Sequence, residues 1–291
     1  MIEIGVFGAM IAMLSWAFAN VIAKRVSTVL GTLNTSLVII PLGILPMVIY
    51  LLLNGGWAGT TAIGAIIAAI SGIFLFLGFF TGYKALETEQ LTNAYVLGEM
   101  QPALLVLFGL SVLGQRLTQA EAAGVAVIFL GAFLVITNER FRINKMLIPS
   151  LFSSLLFTAY WILMNYAIGH STNAIAPLTI GRIVGVVTVL GYLFMHTKEA
   201  KNSPRKRIRL RDAAMLIVII AITAGILDGS GDVAFAVAIQ ANFLTIGSAL
   251  TALAPVVAAV ASYFVYKERL SRLQFIGFMI MVLGAVSLSL F

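Results

Sequence analysis

The chain contains no cysteine, which excludes disulfides, thiolate metal sites and cysteine nucleophiles. Charge is scarce as well: Asp, Glu, Lys and Arg make up 10% of the residues, where a soluble domain carries about 25%. The sequence offers no nucleotide-binding loop, no metal-ligand cluster and no catalytic triad, which argues against an ATP-driven pump and against hydrolysis. Nor does it alternate polar and apolar residues as barrel strands do, so helices remain as the spanning element. Apolar residues are what it has in abundance. They form 61% of the 291 residues, with a mean hydropathy of +1.06, and this marks a polytopic all-α membrane protein.

A hydrocarbon core of about 30 Å takes about 20 helical residues to cross. Ten apolar stretches reach that length: 4–23, 33–53, 61–83, 92–113, 120–137, 146–168, 174–196, 213–239, 243–266 and 273–291. The first is followed by Lys24 and Arg25 and lacks a basic n-region and a small-residue cleavage site, so it is expected to stay in the membrane. Sixteen of the 18 Lys and Arg residues stand at alternate helix junctions, whereas Arg116 is alone on the other side and Arg182 lies within a helix. The positive-inside rule then puts both termini outside and the basic loops in the cytoplasm. The basic run 204–211 reads as topology and anionic-lipid contact, not as a nucleic-acid site.

Residues 91–132 recur as 244–285 at a constant offset of 153, with eleven identities in 42 ungapped positions. Leu and Ala match by chance in such sequences. The pairs Pro102/Pro255, Arg116/Arg269, Leu117/Leu270, Gly124/Gly277 and Gly131/Gly284 carry the inference of an internal duplication. The same offset relates Gly72 to Gly225, and an offset of 145 relates Trp16 and Asn20 to Trp161 and Asn165. Each copy belongs to a unit of five helices, and five is odd, so the second unit is expected to run upside down relative to the first. The expected organisation is a first repeat over 1–137, a cytoplasmic linker over 138–145 and a second, inverted repeat over 146–291. Inverted repeats of this kind enclose a substrate site near the membrane midplane.

Ten helices, a proline in the fourth helix of each half, the strings Gly114-Gln115-Arg116-Leu117 and Lys267-Glu268-Arg269-Leu270, and the glycines of the fifth helices together resemble the EamA-like branch of the drug/metabolite transporter superfamily. The resemblance covers essentially the whole chain and implies a transporter. Gln115 departs from the acidic residue usual in the first repeat. The arginine such proteins often carry in the second helix of a unit has a match at Arg182 in the seventh helix and none in the second. The smaller multidrug members place a proton-coupling glutamate in the first helix. Here that helix has no carboxylate near its middle, so any proton coupling must use other residues.

An ionisable group at the centre of a spanning helix costs about 2.5–3.5 kcal/mol on insertion scales, so each one implies a reason for being there. Four qualify: Glu99, Arg182, Asp228 and Asp232, the last two sharing a helix face through their i, i+4 spacing. Three acids against one base leave an excess of negative charge, to be met by protonation or by a bound cation. Either answer suits a proton-coupled carrier; alternatively, Asp228 or Asp232 pairs with Arg182 and locks the bundle. Glu99 is read either as a partner for a substrate amine or as a donor to a carbonyl freed by Pro102. Trp16, Asn20, Trp161 and Asn165 line a pocket or serve interhelix packing, and Pro102, Pro255, Gly124 and Gly277 are assigned to hinges and packing.

The expected function is that of a secondary transporter in a prokaryotic inner membrane, exporting small metabolites such as amino acids or amines by alternating access. The proton gradient is expected to drive it, with no cofactor and no metal, as a monomer or homodimer whose partners are the bilayer and a small-molecule substrate. Metabolite uptake and uncoupled facilitated diffusion are the alternatives. A distant one is an intramembrane aspartyl protease, because Gly229-Ser230-Gly231-Asp232 fits the pattern Gly-x-Gly-Asp. That chemistry needs two aspartates on facing helices, and Asp228 and Asp232 share one.

Overall fold

The computed structural model describes residues 2–54, 56, 57, 59–88, 100–136, 148–195, 212–241, 243–267 and 270–289. Among them run twelve helices: α1 (Ile2–Leu30), α2 (Thr32–Leu42), α3 (Ile44–Leu53), α4 (Ala62–Thr88), α5 (Gln101–Ser111), α6 (Gln119–Ile136), α7 (Ile148–Gly169), α8 (Ile175–Met195), α9 (Asp212–Gln240), α10 (Leu244–Thr251), α11 (Ala254–Tyr266) and α12 (Arg272–Ser289). The described residues contain no strand, only a single antiparallel bridge between Thr60 and Ser171. Seven stretches are long and apolar enough to cross a bilayer, namely α1, α2 with α3, α4, α7, α8, α9, and α10 with α11. The fourth, fifth and tenth expected segments appear as the shorter apolar helices α5, α6 and α12. Residues 92–99 of the fourth, the linker 138–145 and the basic run 204–211 lie outside the described residues.

Two expected spans are broken, and proline chemistry explains where. In the second, Pro41 and Pro46 flank Gly43, the residue between α2 and α3. Pro46 has no N–H to give the carbonyl of Leu42, so the helical ladder is interrupted there. In the ninth, the chain stops at Thr251 and restarts at Ala254, with Pro255 in the first turn of α11. Pro102 holds the same position in α5. Both prolines therefore stand in the first turn of a described helix, as suits a residue whose missing donor costs nothing there.

Helix packing relies on close backbone approach. Helix α1 runs antiparallel along α9, with Gly8 against Ala234 and Ala238, and Gly231 against the Trp16 indole. Helix α4 runs antiparallel along α7, with Gly64 against Ala167, Gly78 against Phe157 and Gly82 against Ser153. The pair α6 and α12 meets through Gly131 on the Gly277 carbonyl and Gly284 on the Gly124 carbonyl. Exchanging the two sequence repeats turns each α6–α12 contact into the other, and it exchanges the α1–α9 pairing with the α7–α4 pairing. The duplication thus orders the packing.

Candidate functional site

Residues from both repeats surround a cavity of about 100 Å³ in the middle of the bundle. Trp16 and Asn20 come from α1, Phe79 and Tyr83 from α4, Tyr160 and Trp161 from α7, and Asp228 and Asp232 from α9. Gln101 and Pro102 of α5 and Thr251 of α10 complete the wall. Positions related by the offset of 153 both line it: Leu75 and Asp228, Phe79 and Asp232. One half supplies hydrocarbon where the other supplies carboxylates.

Arg182 is the hub of the charged side. It is fully buried, and its Nη2 donates to Asp228 Oδ2 and its Nη1 to Asp232 Oδ2, both at 2.5 Å. Its Nε donates to the Ile40 carbonyl at 2.9 Å, and Nη2 reaches the Ile39 carbonyl at 3.4 Å. These carbonyls belong to the turn before Gly43, where the helix breaks. Gly43 is needed there, because a Cβ on it would overlap the guanidinium. The Phe79 ring lies against the guanidinium with its centroid 5.6 Å from Cζ. Of the alternatives left open by the sequence, the structure has both aspartates paired with Arg182.

The glycines between the aspartates have a packing role. A Cβ on Gly229 would run into the backbone of Gly43, and one on Gly231 would run into the Trp16 indole. The string Gly-Ser-Gly-Asp is thereby explained by close approach of α9 to α2 and α1. A proteolytic pair would hold a water between facing carboxylates, whereas here both carboxylates point one oxygen at the same guanidinium.

Trp16 donates from Nε1 to Asp232 Oδ1 at 3.2 Å, and Asn20 donates from Nδ2 to the Trp16 carbonyl at 3.0 Å. Trp16 and Trp161 stand 5.8 Å apart, and Phe235 meets both edge-on, 5.4 Å from Trp16 and 4.7 Å from Trp161, so that the three rings form a triangle. The structure brings Asp228, Asp232, Trp16, Asn20, Trp161 and Pro102 to one cavity, with Arg182 directly behind the carboxylates. Asn165 is half-buried on α7 and is not among the lining residues, and Pro255, Gly124 and Gly277 belong to helix starts and packing. Glu99 lies outside the described residues.

Sequence reasoning missed the hydroxyl side of the cavity. Ser150, Ser153 and Tyr160 share one face of α7, and Ser153 donates to the Gly78 carbonyl at 2.9 Å. The buried hydroxyls of Ser150 and Tyr160 have no hydrogen-bond partner among the described residues. The signal was available: Ser150, Ser153, Ser154, Phe157 and Trp161 recur at three- and four-residue spacing, so a polar stripe was visible within an apolar helix.

The cavity extends from the aspartates toward the end of the bundle where α4 finishes and α7 begins, past Gly82, Tyr83 and Leu86 on one helix and Ser153 and Ser150 on the other. At the opposite end the two repeats are tied. Thr60 and Ser171 share a hydrogen bond of 2.9 Å between hydroxyls, and Thr172 N–H donates to the Gly59 carbonyl at 3.1 Å. Within the second repeat, Gln240 Nε2 donates to the Thr172 carbonyl at 3.0 Å. Gln115 Oε1 accepts from the Thr245 N–H at 3.1 Å and from the Thr245 hydroxyl. That amide oxygen caps the first turn of α10, as a carboxylate would, without the charge.

A solved crystal structure, 17% identical, superposes with a TM-score of 0.71 over 98% of this chain and 96% of its own, and at that identity the likeness shows the fold alone. No curated protein matches the chain. A family model does, twice, over residues 3–137 and 144–290, so the chain belongs to the EamA-like transporter family and is a multi-pass membrane transporter of small molecules.

Proposed function

We propose that the protein is a proton-coupled secondary carrier with ten spanning helices in two inverted repeats, 1–137 and 146–291, joined by a cytoplasmic linker. It exports small metabolites, amino acids or amines, from a prokaryotic cell across the inner membrane, and it needs no cofactor beyond the proton gradient. The observation that carries this reading is the cavity itself: among the described residues two carboxylates face it and one fixed guanidinium stands behind them, which leaves one negative charge on these three groups to be met when both carboxylates are ionised. A proton and a cationic group of the substrate compete for that charge. The antiparallel pairing of α1 with α9 and of α4 with α7 supports the inverted arrangement. With the basic junctions in the cytoplasm, the tied end is the outer one, and the cavity reaches toward the inside.

The test is flux in proteoliposomes under an imposed pH gradient, with amino acids and primary amines first screened by thermal shift on the purified protein. Asp228→Asn and Asp232→Asn should each abolish gradient-driven flux while expression is retained. Gradient-driven flux with unaltered pH dependence in either variant would remove the mechanism.

A further inference from the structure

The two aspartates of α9 differ in how their oxygens are used. Asp232 has both engaged, Oδ2 by Arg182 and Oδ1 by the Trp16 indole N–H at 3.2 Å. Asp228 gives Oδ2 to Arg182, and no other described residue donates to it. Its side chain is 11% exposed against 6% for Asp232, and it lines the cavity. One carboxylate oxygen at the cavity wall is therefore without a donor among the described residues.

The guanidinium between them cannot supply the missing charge. It does not deprotonate in proteins. Nor is it free to swing, since the Ile39 and Ile40 carbonyls, the Phe79 ring and the Gly43 backbone enclose it. We infer that the two aspartates divide the work: Asp228 is the carboxylate on which the proton and the cation exchange, and Asp232 is a positioning residue that holds Arg182 and Trp16 in place. This rests on the carrier reading above and deepens it. The site takes one monovalent cation at a time, a proton or an ammonium group, because a single positive charge neutralises the cluster of Arg182, Asp228 and Asp232, and a second would find no partner among the described residues. The proton comes from water on the open side and returns to water when the ammonium group replaces it on Asp228. Apart from the two aspartates, the titratable groups at the cavity wall are Tyr83 of α4 and Tyr160 of α7, with Arg182 of α8 behind; α1, α5 and α10 contribute none among the described residues.

Asparagine variants cannot separate the two roles, because losing either charge leaves the other aspartate matched by Arg182. Glutamate variants can. Infrared difference spectra of the full-length protein in lipid, recorded on acidification, report the carbonyl stretch of a newly protonated carboxyl. Asp228→Glu should move that band to the position of a glutamic acid, and Asp232→Glu should leave it where the wild type has it. A band that follows Asp232→Glu, or no band that responds to either variant, would overturn the assignment. Should Asp228→Glu fail to fold, Trp16→Phe decides: an unchanged band supports Asp228, and a shifted one reports a proton on Asp232. Flux under a pH gradient is read separately in the wild type. Its absence with the band still assigned to Asp228 would remove the carrier reading and leave the titrating site, whereas its presence with the band on Asp232 would do the reverse.

Discussion

Arg182 makes four hydrogen bonds, to two carboxylates of α9 and two carbonyls of α2. Both aspartates are largely buried, at 8% and 4% exposure, so hydration can make up only part of a lost partner. Breaking a buried ion pair by removing one partner costs about 3–5 kcal/mol, because the other charge is stranded. Arg182→Met is expected to lose stability of that order in a thermal or denaturant melt. The triple variant that also carries Asp228→Asn and Asp232→Asn should recover much of the loss. Stability unchanged in Arg182→Met would mean that the cluster is not ionised.

At the scale of elements, glycine decides how close the helices come. Gly229 sits where a Cβ would fall 2.6 Å from the Gly43 Cα, and backbone cannot yield as a flexible side chain can. Gly229→Ala should therefore separate α9 from α2 at the guanidinium and cost about 1–3 kcal/mol in a melt. Gly191 of α8 is the control, since a Cβ there meets nothing within 4 Å. Gly191→Ala should be neutral or stabilising by about 0.5–1 kcal/mol, the amount by which Ala exceeds Gly in a helix. Equal losses in the two variants would show that helix propensity, not close packing, governs both sites.

At the scale of the whole molecule, the two repeats meet in a bridge at the end where α4 begins and α7 finishes. Thr60 and Ser171 lie directly opposite each other in an antiparallel bridge, one from each repeat, with their hydroxyls 2.9 Å apart. Opposed residues in such a bridge have Cβ atoms about 4.5–5.5 Å apart, close to what a disulfide spans. The natural chain has no cysteine, so Thr60→Cys with Ser171→Cys introduces the only thiols. Oxidation of that pair should stop transport, and reductant should restore it. Transport that continues with the disulfide formed would mean that this end does not open during the cycle.

The class of protein, its helical character and the duplication followed from the sequence alone, because each depends on composition, run length or period, whereas the breaks at Gly43 and before Pro255 did not. Gly124, Gly131, Gly277 and Gly284 announced close contact by their recurrence, and Asp228, Asp232 and Arg182 announced themselves by the cost of charge in an apolar helix. Tertiary structure decided the rest. It set Arg182 against the carbonyls beside Gly43, gave Trp16 to Asp232 and no second donor to Asp228, and turned Ser150 and Tyr160 toward the same cavity. A periodic pattern tells which face of a helix is polar. Which oxygen on that face meets which donor depends on how helices far apart in the chain cross, and no local pattern carries that information.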